Sequence, residues 1–156
     1  DEGYTEPDPK IDLSGIDVQR KILILARESG HKLELDEIIN RSFLPSECLE
    51  AQTLDELYQI LIEYEYHFLQ LYREAIDQSK KLKYTASFDK ESGHTEIGLK
   101  AFSVEHPFFN LKGKDNMVLF YTERYYDHPL IVQGAGAGSA VTASGIFADL
   151  LRIADA

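Results

Sequence analysis

The hydrophobic pattern is helical near the beginning of the chain. Apolar residues recur at three- and four-residue intervals over residues 14–28, which predicts a first helix that ends at Ser29-Gly30. Ser14 is its predicted N-cap, with Asp17 as the capping-box partner. Because the run KILILA is apolar on nearly every side, we expect this helix to be buried on more than one face.

A longer helical pattern follows an extended stretch. Residues 32–44 alternate imperfectly and predict an extended segment, and residues 45–52 predict a polar connector that contains Cys48. The segment Thr53 to Glu56 has the pattern of a capping box, which predicts the start of a helix that runs to Ser79. The apolar stripe of this helix consists of Leu54, Leu57, Leu61, Tyr64, Phe68, Leu71 and Ala75.

From Leu82 onward the hydrophobic period is two, as in strands. Residues 82–88 and 94–104 are joined by a turn sequence and predict a hairpin. The predicted elements that follow are a strand over 116–126, a short strand over 130–133 and a last helix over 139–154. This order predicts an α+β fold: a largely antiparallel or mixed sheet with helices packed on one face.

Composition and charge narrow the function classes. The hydrophobic fraction of 44% and charged fraction of 28% are ordinary for a globular domain. A net charge of −11 argues against nucleic acid as a partner. The apolar runs are too short to cross a bilayer, so we expect no membrane association. A single cysteine, Cys48, and the lack of a signal-peptide pattern favour a cytoplasmic location.

Two segments carry candidate chemistry, and the first is the acidic opening. It holds Glu6, Asp8 and Asp12 around two prolines, followed by Asp17 and Lys21 one helical turn apart. A carboxylate and an ammonium held together beside an acidic loop suit proton transfer or the binding of a zwitterionic ligand. Spacing alone favours the plainer interpretation, an exposed salt bridge on a capped helix.

The second segment is the glycine-rich run GAGAG at residues 134–138. It follows a short strand and opens a helix, as a dinucleotide-binding loop does. However, the sequence predicts no βαβ unit around it, and the chain ends before an acidic residue could follow at the required distance. By itself the run therefore favours a tight strand-to-helix turn. The five histidines lack metal-ligand spacing, so we predict no metal site.

Both segments resemble the homoserine dehydrogenase family. The matching residues in the opening are Gly3 to Pro9, Asp12 to Gly15, Asp17-Val18 and Arg20-Lys21, and those near the end are QGAGAGSAVTASGIFADLLRI over 133–153. Between these segments, HPF at 106–108 and LKG at 111–113 also match. The resemblance implies a catalytic region whose strands contribute to a homodimer interface.

The resemblance also implies roles for individual residues. Lys21 and Asp17 match the family's acid–base candidates at the substrate carbonyl, and the matches to substrate-binding positions are Tyr4, Glu6 and Asp12. Gly136 and Gly138 match a loop that closes over the cofactor. The implied domains are a catalytic and dimerisation region at 1–132 and a loop and helix at 133–156 that pack on a nucleotide-binding domain.

The activity implied by the resemblance is the NAD(P)-dependent interconversion of L-homoserine and L-aspartate 4-semialdehyde. The cofactor, NADP or NAD, would be bound mainly by an N-terminal Rossmann half that this sequence lacks. The ending FADLLRI resembles forms fused to an aspartate kinase. We expect the chain alone to be inactive. The alternative is a non-catalytic module for dimerisation and amino-acid binding.

Overall fold

The computed structural model describes residues 8–113, 115–136 and 138–155. The chain divides into two compact units, residues 1–109 and 110–156. This boundary lies earlier than the boundary at 132/133 that separates the two predicted functional regions. The roles assigned to those two regions stay predictions.

The first unit combines five helices with a three-stranded sheet among its described residues. The helices are α1 (Pro9–Leu13), α2 (Ile16–Glu28), α3 (Ser46–Glu50), α4 (Leu54–Glu63) and α5 (Glu65–Asp77). The strands are β1 (Ile39–Arg41), β2 (Lys81–Phe88) and β3 (Thr95–Phe102). A 3₁₀ turn at Leu35–Glu37 precedes β1, and another spans Pro107–Asn110.

The sheet is mixed, with β3 at its centre. β2 pairs antiparallel with β3, and Tyr84 lies opposite Leu99. β1 pairs parallel with β3, and Asn40 lies opposite Ile97. Both α2 and α5 contact β2. The core between α2 and the sheet consists of Ile22, Ala26, Leu33, Ile38 and Ile97, with Tyr84, Ala86 and Phe88 packed against it. The predicted α+β fold with a mixed sheet is confirmed.

The second unit is a two-stranded antiparallel sheet followed by a helix. Its elements are β4 (Asp115–Phe120), β5 (Leu130–Ala135) and α6 (Ser139–Ala154). The last helix has the bounds that the sequence predicts. The strand predicted over 116–126 ends early, because Thr122 accepts a hydrogen bond from the Tyr125 N–H and closes a turn.

The helix predicted over residues 14–28 is present as α2 and ends at Glu28 as predicted, but the prediction of Ser14 as its N-cap is wrong. Asp8 caps an earlier helix by accepting a hydrogen bond of 3.0 Å from the Lys10 N–H, and Pro9 occupies its first turn. Ser14 ends that helix, and Gly15 stands at the N-cap of α2 with a left-handed φ of 80°. The predicted capping box between Ser14 and Asp17 is therefore not formed.

Two further expectations about helices are corrected. Residues 45–52 are not a polar connector, since they contain α3 and a fully buried Cys48 packed with Leu44, Ala51 and Leu57. The long helix predicted from Thr53 does have Thr53 as its N-cap, but it is divided into α4 and α5 at Tyr64. The Tyr64 hydroxyl donates a hydrogen bond of 2.7 Å to Glu47, outside the helix.

Candidate active site

The residues of α2 separate into a buried face and an opposite exposed face. Gln19, Ile22 and Ala26 are buried, whereas Asp17 and Lys21 lie about 150° away around the helix axis. The expectation that KILILA is buried on several sides is wrong, since Ile24 on the exposed face is 60% exposed. One buried face therefore holds the helix that carries the candidate acid–base pair.

Asp17 and Lys21 form the ion pair that their spacing predicts. The Lys21 Nζ and the Asp17 carboxylate are 2.7 Å apart, and the side chains are 48% and 53% exposed. An ion pair this open to water adds little to stability. Its geometry can instead orient the ammonium, because a carboxylate at hydrogen-bond distance restricts the directions in which Nζ presents its remaining protons.

The predicted substrate-binding residues are only partly described. Tyr4 and Glu6 lie outside the described residues. Asp12 is exposed in α1, and its carbonyl oxygen accepts a hydrogen bond of 3.3 Å from the Gly15 N–H. The structure thus places Asp12 and Asp17 on two consecutive helices that are joined at Ser14-Gly15.

Contacts with distant residues hold this helical joint. The Lys10 ammonium donates a hydrogen bond of 2.8 Å to the Ala51 carbonyl and so ties α1 to the end of α3. The Asn40 side chain donates one of 2.8 Å to the Ser14 carbonyl. Sequence reasoning missed Asn40 and Tyr84 here. The alternation of β2 places Tyr84 on the core face but does not reveal which backbone it meets.

In the second unit, the two glycines assigned to the cofactor have different surroundings. A Cβ on Gly136 would collide with the side-chain amide of Asn116, an exposed side chain that would have to move to make room. Gly138 has a φ of 126° and stands at the N-cap of α6. The sixteen-residue α6 thus begins at a residue without a side chain, which lets an anionic group approach its N-terminal N–H groups.

Two other titratable side chains are held in their neutral forms. Burial raises the pKa of the Cys48 thiol, which disfavours the reactive thiolate. Burial lowers the pKa of His106, whose ring lies 4.3 Å from Phe102 and 4.9 Å from Phe108, centroid to centroid. Because its Nδ1 accepts the Phe108 N–H at 3.1 Å, the neutral ring carries its proton on Nε2.

Residues 8–113, 115–136 and 138–155 contain neither a group of potential metal ligands nor a membrane-spanning helix. Within these ranges, no three or more His, Cys, Asp or Glu side chains are grouped so that they could hold a metal ion. Within the same ranges, no helix has the length and apolar character needed to cross a bilayer.

Sequence comparison places this chain among dehydrogenases. The named relatives are dehydrogenases, and the family model described as homoserine dehydrogenase matches residues 1–151. The chain belongs to the homoserine dehydrogenase family.

Three matches illustrate the relationship. The chain is 44% identical over 152 residues to bifunctional aspartokinase/homoserine dehydrogenase 2, chloroplastic, of Arabidopsis thaliana, covering 97% of this chain and 17% of that protein. It is 39% identical over 153 residues to homoserine dehydrogenase of Saccharomyces cerevisiae, covering 97% of this chain and 42% of that protein. The crystal structure of a Candida auris protein of unknown function matches with a TM-score of 0.89 and 39% identity. This match covers 99% of the present chain and 43% of the Candida auris chain. The chain thus spans less than half the length of each of these proteins.

Proposed function

We propose that this chain supplies the substrate-binding and proton-transfer part of a homoserine dehydrogenase. The reaction is the NAD(P)-dependent interconversion of L-homoserine and L-aspartate 4-semialdehyde, a step toward threonine, methionine and isoleucine. The observation that carries the proposal is the Asp17–Lys21 ion pair of 2.7 Å on the exposed face of α2. Both residues occupy positions of the family's opening motif.

The chemistry assigned to the pair follows from the charge that the reaction creates. Reduction of the aldehyde leaves a negative charge on its oxygen, which must gain a proton. The Lys21 Nζ stabilises that charge and delivers the proton, directly or through one water, while Asp17 orients the ammonium. In the reverse direction, the same Nζ receives the hydroxyl proton of homoserine after Lys21 has lost its own proton.

The half-exposed state of Lys21 sets a condition for this role. The reference pKa of lysine is about 10.4, so a well-solvated lysine keeps its proton at neutral pH and is a poor base for the reverse reaction. We infer that bound substrate and the rest of the protein cover Lys21 during turnover and remove this solvation. The chain by itself should therefore be inactive.

The amino-acid part of the substrate requires groups that bind an ammonium. We assign this role to Glu6 and Asp12, with Tyr4 in the same pocket. Carboxylates suit it because they accept charge-assisted hydrogen bonds from an ammonium. Asp12 lies one helix away from the Asp17–Lys21 pair, which supports the assignment of adjacent parts of one substrate to these groups.

The cofactor is NADP or NAD, which supplies the hydride when it is bound. Its main site is assigned to a nucleotide-binding half that the present sequence does not contain. Of the two assigned glycines, Gly138 fits a phosphate or other anionic group best, because it begins α6. We also propose that the protein forms a homodimer through the sheet, is fused to an aspartate kinase and is located in the cytoplasm.

The test uses the full-length protein that contains this chain. We expect NADPH oxidation with L-aspartate 4-semialdehyde, and a loss of about 10²- to 10⁴-fold in kcat for Lys21→Ala. The matched control is Lys90→Ala, at an exposed lysine in the turn between β2 and β3, which should retain the wild-type rate. A Lys21→Ala enzyme with nearly unchanged kcat would remove the proton-transfer role.

A second measurement distinguishes the proposed enzyme from the alternative, a non-catalytic module that only binds the amino acid. Titration calorimetry with L-homoserine on the full-length protein reports amino-acid binding independently of turnover. Binding without any NADPH oxidation would favour the non-catalytic module and contradict the proposed reaction.

A further inference from the structure

The turn between α1 and α2 determines how Asp12 is placed relative to Asp17 and Lys21. Gly15 adopts a left-handed φ of 80° and is buried. The Gln19 N–H donates a hydrogen bond of 2.9 Å to the Gly15 carbonyl, which starts α2 directly after the turn. A small rotation at Ser14 or Gly15 would therefore swing the two helices, and the carboxylates they carry, relative to each other.

Asn40 binds this turn from β1, one of the two edge strands of the sheet. Its Nδ2 donates a hydrogen bond of 2.8 Å to the Ser14 carbonyl, a residue 26 positions away. Its Oδ1 accepts a longer one of 3.4 Å from the Tyr84 hydroxyl on β2. The side-chain amide of Asn40 thus connects the Ser14 carbonyl, which accepts a hydrogen bond from it, with the Tyr84 hydroxyl, which donates one to it.

Tyr84 on β2 contacts the same turn from the core. Its ring packs in the core and meets Phe43 edge-on, with centroids 5.9 Å apart. Its hydroxyl lies so close to Gly15 that a Cβ there would collide with it. Burial raises the pKa of Tyr84, so the hydroxyl stays protonated and can donate to Asn40. These contacts fill the space into which Gly15 would otherwise move.

We propose that Asn40 and Tyr84 are positioning residues of the active site, which hold the Ser14-Gly15 turn so that Asp12 and the Asp17–Lys21 pair address one substrate together. This inference rests on the proposed function. Neither side chain is assigned a contact with the reacting atoms. Both act through the backbone of the turn, and catalysis is sensitive to displacements of about 1 Å in such groups.

The test compares Asn40→Ala and Tyr84→Phe with wild type in the full-length protein. We expect kcat/KM for L-homoserine to fall about 10- to 100-fold, with a raised KM for L-homoserine and an unchanged KM for NADP. Tyr72→Phe is the matched control, because Tyr72 is an exposed tyrosine on α5 and its hydroxyl should be dispensable. A merely structural role would lower the active fraction and leave both KM values unchanged.

Hydrogen exchange provides a readout that does not depend on activity. Peptides that cover residues 12–20 should exchange faster in both variants than in wild type, while peptides from α5 should not change. The inference would be overturned if wild type were active and both variants kept kcat and KM within about twofold of its values. It would also be overturned if hydrogen exchange over residues 12–20 were the same in the variants as in wild type. A wild type that exchanges as expected but shows no dehydrogenase activity would instead contradict the proposed function.

Discussion

The hydroxyl of Tyr84 lies directly against Gly15, the residue from which α2 starts. This contact joins the core face of β2 to the helix that carries Asp17 and Lys21. It leaves no space for a side chain at position 15, whose backbone is already in the left-handed region. Position 15 is thus restricted to glycine for two independent reasons.

Gly15→Ala should consequently destabilise the protein more than an ordinary glycine substitution. The left-handed backbone alone costs about 1–2 kcal/mol for a residue with a Cβ, and the collision with Tyr84 adds to that cost. Gly30→Ala is the control, because Gly30 has a φ of 89° but a Cβ there would meet no described atom within 4 Å. Urea denaturation measures both losses, and equal losses would show that the Tyr84 contact has no effect.

The Asp17–Lys21 pair should matter for activity and hardly for stability. Both side chains are about half exposed, so Asp17→Asn should change the free energy of unfolding by less than about 1 kcal/mol. The same substitution should reduce kcat, since an uncharged amide orients the ammonium less strongly. Thermal melts and steady-state assays on one preparation check both parts. A large loss of stability together with normal kcat would contradict the assignment.

Glu96 should make stability depend on pH in the acidic range. Hydrogen bonds from Arg41 and Lys100 lower the pKa of this carboxyl from 4.5 to about 2. Its side chain is only 14% exposed, and the three groups form one network on β1 and β3. The folded state therefore binds fewer protons, so this stabilisation is complete above pH 4.5 and is lost as the pH falls toward about 2.

Glu96→Gln should accordingly flatten the dependence of Tm on pH between pH 4.5 and about pH 2. Glu91→Gln is a suitable control, because Glu91 is an exposed carboxylate in the turn between β2 and β3. If the profile of Glu96→Gln matched that of wild type, the ion-pair network would not be the source of the dependence.

Cys48 should serve as a probe of global unfolding. It is the only cysteine of the chain, it is fully buried beside Leu44 and Leu57, and burial raises its pKa. A thiol reagent such as DTNB should thus react slowly with this chain in its native state and rapidly in urea. Fast labelling without urea would contradict the packing of α3. Cys48→Ser should lower the free energy of unfolding by about 1–3 kcal/mol, because it buries a hydroxyl in an apolar cluster.

Local sequence determines those parts of the protein whose signals lie within a few residues. The hairpin of β2 and β3 follows from strict alternation around a turn in which Asp89 accepts hydrogen bonds from Ser92. Thr53 caps α4 through the Glu56 N–H, and α6 has its predicted bounds. The Asp17–Lys21 pair also belongs here, since residues four apart on a helix are neighbours on the same face.

Features that depend on distant partners are set by tertiary contacts and could not be predicted from local sequence. The split at Ser14-Gly15, the burial of Cys48 and the parallel pairing of β1 with β3 each depend on neighbours far along the chain. A periodic pattern identifies which face of an element is buried, but not which residue it meets there. For that reason, Asn40 and Tyr84 could not be recognised from sequence, since 26 and 69 residues separate them from Ser14 and Gly15. The acid–base pair is formed by residues close in sequence, whereas the contacts proposed to position it come from residues far along the chain.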